Sequence, residues 1–374
     1  MLIRTFATKL IRVILVLLIV SAMTVGLLDL VPGDPAVSVL GAEAAPEDYA
    51  RVRTQLGLDR PLVERYVDWV RQLLSGDLGH SVVHPSRSVL SLVQSRLPVT
   101  LQIAGMALIM ALALSIPAGM LAASRAGSRV DKSVAVGSSA LISIPSFVSG
   151  LLLVYLFVFN PDVPQTLAMV AWGGAAVWIV ASIARGIGRR DLETSDVVLR
   201  GLGAIACAGM CVLAWRVWPS FPRQGFARIS DDLTENLRTA FLPALTIAIT
   251  EVAVFTRLLR SDMATTLQED FILSARAKGM PARHILMRDA LRPSSFSLLT
   301  LAGVSVGRLM GGTVIVESIF NLPGMGRLII QDGVIVKDFT VVQGAVIVIA
   351  ALYVLINALV DAAYALLDPR VRHA

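Results

Sequence analysis

Two charged side chains lie inside segments that are otherwise apolar and long enough to cross a membrane. Arg308 falls within the apolar window 294–316, and Glu251 falls within the window 241–259. Burying an isolated charge in lipid costs about 3 kcal/mol or more, so each residue needs a partner or a water-filled path. The two residues lie at comparable depth, which allows them to pair with each other. Alternatively, Arg308 lines a translocation pathway and offers its planar guanidinium to a passing carboxylate.

The window that contains Arg308 has two further features. Gly311 and Gly312 are small enough to let a neighbouring helix approach closely. Glu317 marks the external end of the same segment. We therefore take Arg308, Glu251 and Glu317 as the candidate residues of a translocation pathway.

A charged stretch between two apolar windows predicts a helix, a turn and a second helix. It runs from Glu269 to Pro293 and reads EDFILSARAKGMPARHILMRDALRP. Residues 268–278 fit a short helix, and Gly279 can adopt the left-handed turn that ends it. Pro281 then begins the second helix, where a missing N–H does no harm.

The first of these helices has the composition of a contact surface. Its predicted apolar side consists of Phe271, Ile272 and Ala275. Ala275, Ala277 and Gly279 are small enough for the backbone of another protein to approach closely. Arg276 and Lys278 add charges at the rim. The alternative is an ordinary basic loop that only follows the positive-inside rule.

Composition identifies the class of protein that must position these residues. The chain has 374 residues, of which 55% are hydrophobic and 16% are charged. Its mean hydropathy is +0.73, higher than soluble globular chains usually reach. Eight apolar windows have the length that a bilayer requires, near residues 10–30, 97–122, 133–159, 163–184, 199–218, 241–259, 294–316 and 341–367. The sequence therefore predicts an all-α, polytopic membrane protein.

The distribution of positive charge predicts the orientation of these windows. If eight spans alternate, most arginines and lysines fall on the side that also holds both termini. By the positive-inside rule this side is the cytoplasm. The net charge of +6 is thus explained by topology, and we expect no nucleic-acid partner. No small-residue cleavage pattern follows the first window, so we expect it to be a retained helix.

The windows divide the chain into five regions. They are 1–30 (the first segment), 31–96 (an external region with short helices), 97–159, 160–230 (an inserted hairpin and loop) and 231–374. In the external region we expect one helix from Pro46 to a stop at Gly57, and another over 61–74. The hairpin at 160–218 returns the chain to the same side without changing any later orientation.

Several kinds of chemistry have no matching motif. None of the four lysines follows a glycine, so the phosphate-binding loop GxxxxGK[ST] is missing. There is no GxSxG or HExxH motif either. His80 and His84 have no evident third metal ligand, and we expect surface histidines. Cys207 and Cys211 lie on one face of an apolar window, where we expect small apolar fillers.

Short motifs in a fixed order resemble those of a known permease family. They are LVPGDPA (Leu30–Ala36), LGLDRPL (Leu56–Leu62), GDLGHS (Gly76–Ser81), RLPVTL (Arg96–Leu101), ARAKG (Ala275–Gly279), VESIFNLPGMGRL (Val316–Leu328) and LLDPRVR (Leu366–Arg372). Their order and spacing resemble the first permease subunit of dipeptide and oligopeptide ABC importers. The resemblance covers almost the whole chain except residues 160–230.

The resemblance implies a type I importer fold in the bacterial inner membrane. Residues 260–293, called here the coupling loop, would then contact a separate ATPase. The residues in this contact would be Ala275, Arg276, Ala277, Lys278, Gly279, Met280 and Pro281. An external binding protein would deliver substrate near Asp77, Leu78, Gly79, Pro323 and Gly324. A second homologous permease would complete the pathway, and ATP and magnesium would bind only to two partner ATPase subunits or domains.

Three positions depart from the family pattern. The general permease signature has glutamate and two alanines where this chain has Leu273, Ser274 and Ala275. Arg308 stands where a small or neutral residue is expected. The hairpin at 160–218 exceeds the usual six spans of the family.

Three functional classes are compared with the sequence. The first is a transport subunit without enzymatic activity, coupled to external ATPases and importing peptides. Within that class, glutathione, nickel complexes and oligosaccharides are alternative substrates. The second is a transporter driven by an ion gradient, with Arg308 and Glu251 as a relay, although internal inverted repeats are not evident. The third, an intramembrane enzyme, requires paired aspartates or a zinc motif, and the sequence has neither.

Overall fold

The fold is helical throughout the part of the chain that the structure describes. The computed structural model describes residues 2–26, 35–41, 44–189, 194–216, 221–222 and 225–367. No strand occurs in these ranges, where a single bridge joins His80 to Ser88. The prediction of an all-α, polytopic membrane fold is confirmed. The beginning of the first family motif (residues 30–34) and the end of the last (368–372) lie outside the described ranges.

The described residues contain fifteen α-helices. In chain order they are α1 (Leu2–Gly26), α2 (Pro35–Leu40), α3 (Pro46–Leu56), α4 (Leu62–Leu74), α5 (Val89–Ser124), α6 (Arg129–Ser143), α7 (Ser146–Val154), α8 (Asp162–Arg189), α9 (Thr194–Arg216), α10 (Leu233–Thr266), α11 (Asp270–Ala277), α12 (Ala282–His284), α13 (Leu291–Ile319), α14 (Met325–Arg327) and α15 (Phe339–Leu367). Three π-helical segments continue α7, α12 and α14, at Tyr155–Phe159, Ile285–Ala290 and Leu328–Ile335.

Five of the described helices are long and apolar enough to cross a membrane. They are Val89–Ser124, Asp162–Ile183, Leu233–Thr266, Ala282–Ile319 and Phe339–Val360. A sixth results if Arg129–Ser143 and Ser146–Phe159 together form one span. The two remaining predicted windows coincide with α1 and α9, which contain shorter apolar helices at Val13–Gly26 and Gly203–Val212. Both of those windows extend into residues outside the described ranges.

The third predicted window is not one continuous helix. The hydropathy of residues 133–159 predicts a single span, but the chain breaks between α6 and α7 at Ile144 and Pro145. Ile144 adopts extended backbone angles, φ −87° and ψ 119°. A residue before proline is disfavoured in the helical region, and proline itself lacks the N–H that would continue the helix. Pro145 therefore explains why the predicted single span consists of two helices.

The external region contains the two predicted helices and one more. The helix predicted from Pro46 is α3, and Gly57 ends it with φ +65°. The helix predicted over 61–74 is α4, followed by Gly76 at φ +82°. The additional helix is α2. The Tyr66 hydroxyl of α4 lies 2.9 Å from Ser21 Oγ of α1, which attaches this region to the first helix.

The chain forms two compact units. One consists of residues Met1–Phe147 and Pro243–Ala374, and the other of Val148–Leu242. The second unit contains the predicted hairpin, α8 and α9, packed against each other. Cys211 Sγ of α9 lies 3.4 Å from the Met169 carbonyl oxygen, and both cysteines are free thiols.

In the larger unit, a cluster of buried apolar side chains joins three parts of the chain. Its buried members are Leu78, Val89, Val93, Met325, Leu328, Val341, Ala345 and Ile347. These residues come from the external region and α5, from α14 and the π-helical segment after it, and from α15. The segments around residues 78–93 and 325–347 therefore form one core.

Helix α13 packs closely on α15 through glycines other than those predicted. A Cβ atom on Gly303 would lie 2.2 Å from Val360 Cγ1, and one on Gly307 would lie 2.4 Å from the Tyr353 ring. Nothing lies within 4 Å of such an atom on Gly311 or Gly312. Within this chain, the close helix contact therefore lies at Gly303 and Gly307 and not at Gly311 and Gly312. Small residues four apart are a common means of close packing between membrane helices.

We predict that Gly303→Ala destabilises the chain and that Gly311→Ala does not. The added methyl group in Gly303→Ala would overlap the branched side chain of Val360, which has little freedom to turn away. Overpacking of this kind typically costs about 1–3 kcal/mol. Gly311→Ala meets open space and gains helix propensity, worth up to about 1 kcal/mol. The midpoint of thermal unfolding of each purified variant in mild detergent measures the difference. Equal midpoints for the two variants would contradict the assigned contact.

Candidate functional site

Glu251 of α10 and Arg308 of α13 form an ion pair that joins the two helices. Arg308 Nη2 donates hydrogen bonds to both carboxylate oxygens of Glu251, each at 2.9 Å. The Ser305 hydroxyl donates to Glu251 Oε2 at 3.0 Å and accepts from Arg308 Nη2 at 2.9 Å. The structure thus brings together the two charges that the sequence places at comparable depth.

The two members of this pair differ in their exposure. The Glu251 side chain is 6% exposed, whereas the Arg308 side chain is 58% exposed. The described hydrogen bonds of Arg308 all use Nη2, and a guanidinium has five N–H donors in a planar fork. Arg308 can therefore bind a second carboxylate on its exposed edge while it still contacts Glu251.

Glu317 is fully buried, which corrects the prediction that it belongs to the translocation pathway. The residue is 0% exposed. Thr100 Oγ1 donates to Glu317 Oε1 at 2.6 Å, and the backbone N–H of Gly326 donates to Glu317 Oε2 at 2.7 Å. Because no part of Glu317 is exposed, it does not line an open path. Its carboxylate instead binds the beginning of α14.

The segment after α13 folds back over Glu317, and two glycines allow this. A Cβ atom on Gly324 would lie 2.3 Å from the Glu317 carboxyl carbon, and one on Gly326 would lie 2.3 Å from Val314 Cα. The Leu322 N–H donates to the Glu317 carbonyl oxygen at 2.8 Å. The family motif Val316–Leu328 is thus a packed structural unit around one carboxylate.

The residues expected to meet an external binding protein are not equally accessible. Leu78 is 6% exposed within the apolar core, and Gly324 is buried against Glu317. Neither can form a docking surface in this structure. Gly79 and Pro323 are partly exposed, and Asp77 is exposed. Asp77 Oδ1 accepts a hydrogen bond from the Gly79 N–H at 2.9 Å, which stabilises the turn.

A buried aspartate that the sequence analysis did not select joins the external region to α15. Asp338 is 1% exposed and accepts a hydrogen bond from Ser81 Oγ. It also accepts from the Val341 N–H at 3.3 Å, at the beginning of α15. Aspartate just before a helix is a common N-cap, so its sequence position could have indicated the cap. Nothing in the sequence indicates its bond to Ser81, 257 residues away.

The coupling loop has the predicted turn. Helix α11 ends at Ala277, and Gly279 adopts φ +74°. The Met280 N–H donates to the Ala275 carbonyl oxygen at 3.2 Å, which closes the turn. Pro281 directly precedes α12 as its N-cap, one residue earlier than the predicted first helical position.

The faces of α11 differ from the prediction in two respects. Ile272 and Ala275 are buried, but Phe271 is 51% exposed. The expected apolar side therefore does not include Phe271, and Ala275 is too buried, at 8% exposure, to meet another protein. The other predicted contact residues, Arg276, Ala277, Lys278, Gly279, Met280 and Pro281, are exposed.

Comparison with known proteins identifies the family. The model of the binding-protein-dependent transport system inner membrane component matches residues 115–373. The chain belongs to this family. The N-terminal model of the same membrane component matches residues 2–104. Members of the family are membrane permease components of ABC transporters and are not themselves enzymes. This chain is accordingly a multi-pass permease of the inner membrane.

Two relatives are similar to this permease over nearly their whole length. A "probable peptide ABC transporter permease protein" of Sinorhizobium fredii is 31% identical over 365 residues, 98% of each chain. A di/tripeptide transport system permease protein of Pseudomonas aeruginosa is 32% identical over 362 residues, 95% of this chain and 94% of the relative.

An ion pair that the sequence analysis missed connects α6 to the end of α10 in this permease. Arg260 Nε donates to Asp131 Oδ1 at 2.9 Å, and Arg260 Nη2 donates to Asp131 Oδ2 at 2.7 Å. The Gly127 N–H also donates to Asp131 Oδ2, at 2.8 Å. Ser128 followed three residues later by Asp131 is a helix-start signal that could have been recognised. The long-range partner, Arg260, has no such signal.

We predict that Glu317→Gln destabilises the permease. The substitution replaces an anionic acceptor of backbone N–H bonds by an amide, and the loss of such charge-assisted bonds costs about 1–3 kcal/mol. The midpoint of thermal unfolding in mild detergent should fall. Glu64→Gln, at an exposed position on α4, is the control and should change stability by less than about 0.5 kcal/mol. An unchanged midpoint for Glu317→Gln would show that the buried carboxylate is dispensable.

Proposed function

We propose that this permease is a subunit of an ATP-binding-cassette importer for peptides. It forms the translocation pathway with a second, homologous permease and couples to two separate ATPase subunits or domains. An external binding protein delivers the peptide. The observation that carries the proposal is the coupling loop, an exposed helix and turn that directly connects the spanning helices α10 and α13.

The surface of the coupling loop has the chemistry of a protein contact. Four large apolar side chains are exposed there: Phe271 (51%), Leu273 (52%), Met280 (38%) and Met287 (54%). Arg276 and Lys278 lie among them and are exposed as well. Exposed apolar residues rimmed by charges are typical of protein interfaces. The buried Ile272 and Ala275 fix α11, so that a force applied to this surface reaches the spanning helices.

The coupling loop and the Glu251–Arg308 pair involve the same two helices. Closure of the ATPases around α11 would shift α10 relative to α13. Such a shift would lengthen the hydrogen bonds between Glu251 and Arg308. The Asp131–Arg260 pair attaches α6 to α10 near the loop, so α6 would follow the movement. In that state more of the Arg308 guanidinium would be available to a substrate carboxylate than the edge that is exposed here.

Peptides are the substrate class that the relatives and this geometry both favour. The relatives in Sinorhizobium fredii and Pseudomonas aeruginosa are named as peptide and di/tripeptide permeases. A free peptide carries a C-terminal carboxylate, and the exposed edge of the Arg308 guanidinium matches its bidentate geometry. Glutathione shares this chemistry, whereas oligosaccharides do not.

In this proposal, partner subunits bind and hydrolyse ATP. The chain has no GxxxxGK[ST] motif, so its own residues do not fit a nucleotide phosphate site. We assign ATP and magnesium to the partner ATPases. The contribution of this chain is to bind those subunits and to move its helices in response.

The orientation of the chain in the membrane follows from the proposed contact between the coupling loop and the ATPases. The coupling loop has five exposed basic residues, Arg276, Lys278, Arg283, Arg288 and Arg292. It must face the ATPases in this proposal, so we assign it to the cytoplasm. The external region and residues 321–338 then face the binding protein. Both termini are cytoplasmic in this topology.

Purification of the native complex tests the proposal. The chain is extracted from its own membrane in mild detergent, and the proteins that accompany it are identified by mass spectrometry. We expect a second permease and P-loop ATPases, and ATP-dependent dipeptide uptake when the complex is placed in liposomes. A chain that purifies alone and transports along an ion gradient without ATP would replace the importer by a secondary transporter that uses Glu251 and Arg308.

We predict that Gly279→Val weakens ATPase binding at least about tenfold. A β-branched residue is strained at φ +74°, at a cost of about 1–3 kcal/mol, and the turn should lose its shape. Binding of the purified ATPases to the variant measures the effect. Gly76→Val is a matched control, because Gly76 has φ +82° and equally open surroundings but lies in the external region. Equal ATPase binding by the two variants would contradict the proposed contact.

We predict that Arg308→Ala removes the preference for peptides with a free carboxylate. Uptake of a dipeptide and of its C-terminal amide are compared in liposomes that contain the complete importer. The unsubstituted complex should prefer the free acid, and the loss of one charge-assisted bond should reduce this preference about tenfold or more. An unchanged ratio in Arg308→Ala would exclude contact between Arg308 and the substrate carboxylate, but it would leave the importer assignment intact.

A further inference from the structure

A polar cavity lies between α6 and α10, apart from the Glu251–Arg308 pair. Its volume is about 290 Å³, and it is lined by Asp131, Val134, Ala135, Ser138, Ser139, Thr256, Arg257, Arg260 and Ser261. All of these residues belong to the larger compact unit. Since a water molecule occupies about 30 Å³ in the liquid, the volume is sufficient for a phosphate group with part of its ester.

The charges around this cavity favour an anion. Asp131 is the acidic residue of the lining, and its carboxylate already accepts hydrogen bonds from Arg260 and from the Gly127 N–H. Arg257 is exposed and forms no salt bridge with any described residue. The Arg260 side chain is 40% exposed, so part of its guanidinium also remains accessible. The lining therefore has one positive charge that is not neutralised.

A buried hydroxyl in the lining has no partner. Thr256 is 2% exposed, and its Oγ1 atom makes no hydrogen bond to any described residue. A helical threonine can usually bond to a carbonyl oxygen one turn earlier, and a buried hydroxyl without a bond costs about 1–3 kcal/mol. An acceptor in the cavity would satisfy this hydroxyl. The unpartnered donor, together with the free arginine, indicates a ligand with anionic oxygens.

The cavity lies where a membrane lipid could reach it. Its lining comes from residues 131–139 of α6, which begins at Arg129, and from residues 256–261 of α10, which ends at Thr266. The position is thus near one boundary of the bilayer rather than at its centre. On α6, Val136 follows the lining residue Ala135 and is 71% exposed. Basic pockets between spanning helices near a membrane boundary suit phospholipid headgroups.

We propose that this cavity binds a phosphate group, supplied by the headgroup of an anionic phospholipid in the adjoining leaflet. Arg257 and the accessible part of Arg260 bind the phosphate oxygens, and the Thr256 hydroxyl donates to one of them. Because Asp131 and Arg260 hold α6 against α10, a bound lipid would stabilise the same helix pair. The site is independent of the substrate and of ATP.

Lipid binding to the purified full-length chain tests the proposal. Retained lipids are counted by native mass spectrometry, and binding of fluorescent phosphatidylglycerol is titrated against phosphatidylcholine with the same acyl chains. High salt screens charges outside the cavity. We expect a saturable preference for phosphatidylglycerol that falls about fivefold in Arg257→Gln, the effect of one basic residue near a membrane surface. Arg125→Gln removes an exposed charge that does not line the cavity, and it should retain the preference.

A pair of substitutions at Thr256 separates binding from folding. Thr256→Val removes the hydroxyl at nearly constant shape and should weaken lipid binding about fivefold or more, whereas Thr256→Ser retains it. Thermal stability without lipid should not fall in Thr256→Val, because the hydroxyl lost has no partner. Inorganic phosphate that binds with the same dependence on Arg257 and Thr256 would retain the phosphate site but identify a soluble source. Equal binding of both lipids, or equal effects of Arg125→Gln and Arg257→Gln, would overturn the proposal.

Discussion

The desolvation of carboxylates is the constraint on which the larger unit of this permease depends. Among the described residues, the buried acidic side chains are Asp131, Glu251, Glu317 and Asp338. A carboxylate removed from water is tolerated only when hydrogen bonds or opposite charges replace its hydration. Each of the four has such bonds, and each of them connects two segments that are far apart in the chain. The cost of burial thus determines which segments must be adjacent.

These four contacts fall into two groups according to the donors that the carboxylates use. Glu317 and Asp338 hold the segment after α13 against α5 and the external region, with backbone N–H groups and hydroxyls as donors. Asp131 and Glu251 use arginines and join α6, α10 and α13. Side-chain ion pairs can separate and form again with other partners, whereas backbone bonds to a buried carboxylate resist separation. The pairs near the coupling loop are therefore the ones suited to a conformational cycle.

Local features of this fold could be read from the sequence, but pairings across the chain mostly could not. The turn at Gly279 and the end of α3 at Gly57 were predictable because glycine adopts positive φ at little cost. The Glu251–Arg308 pair was predictable because two charges in lipid need each other. Hydropathy alone does not reveal the break at Pro145, where the proline itself is the signal.

Burial was the hardest property to predict. Glu317 appeared to be an exposed end of a span, because its partners Thr100 and Gly326 come from other segments and their arrangement depends on the complete fold. Ala275 and Leu78 belong to motifs that resemble docking segments, yet in this chain both side chains are buried. A motif gives the position of a segment along the chain, and only packing decides which of its side chains face outward.

The surroundings of Glu317 also constrain the order in which the protein can be built at the membrane. Of its hydrogen-bond partners, Thr100 is made 217 residues earlier, whereas Gly326 is made nine residues later. A carboxylate in this site without these partners would be desolvated and unsatisfied, which is costly. Segments from the two ends of the chain must therefore meet before this part of the fold is stable.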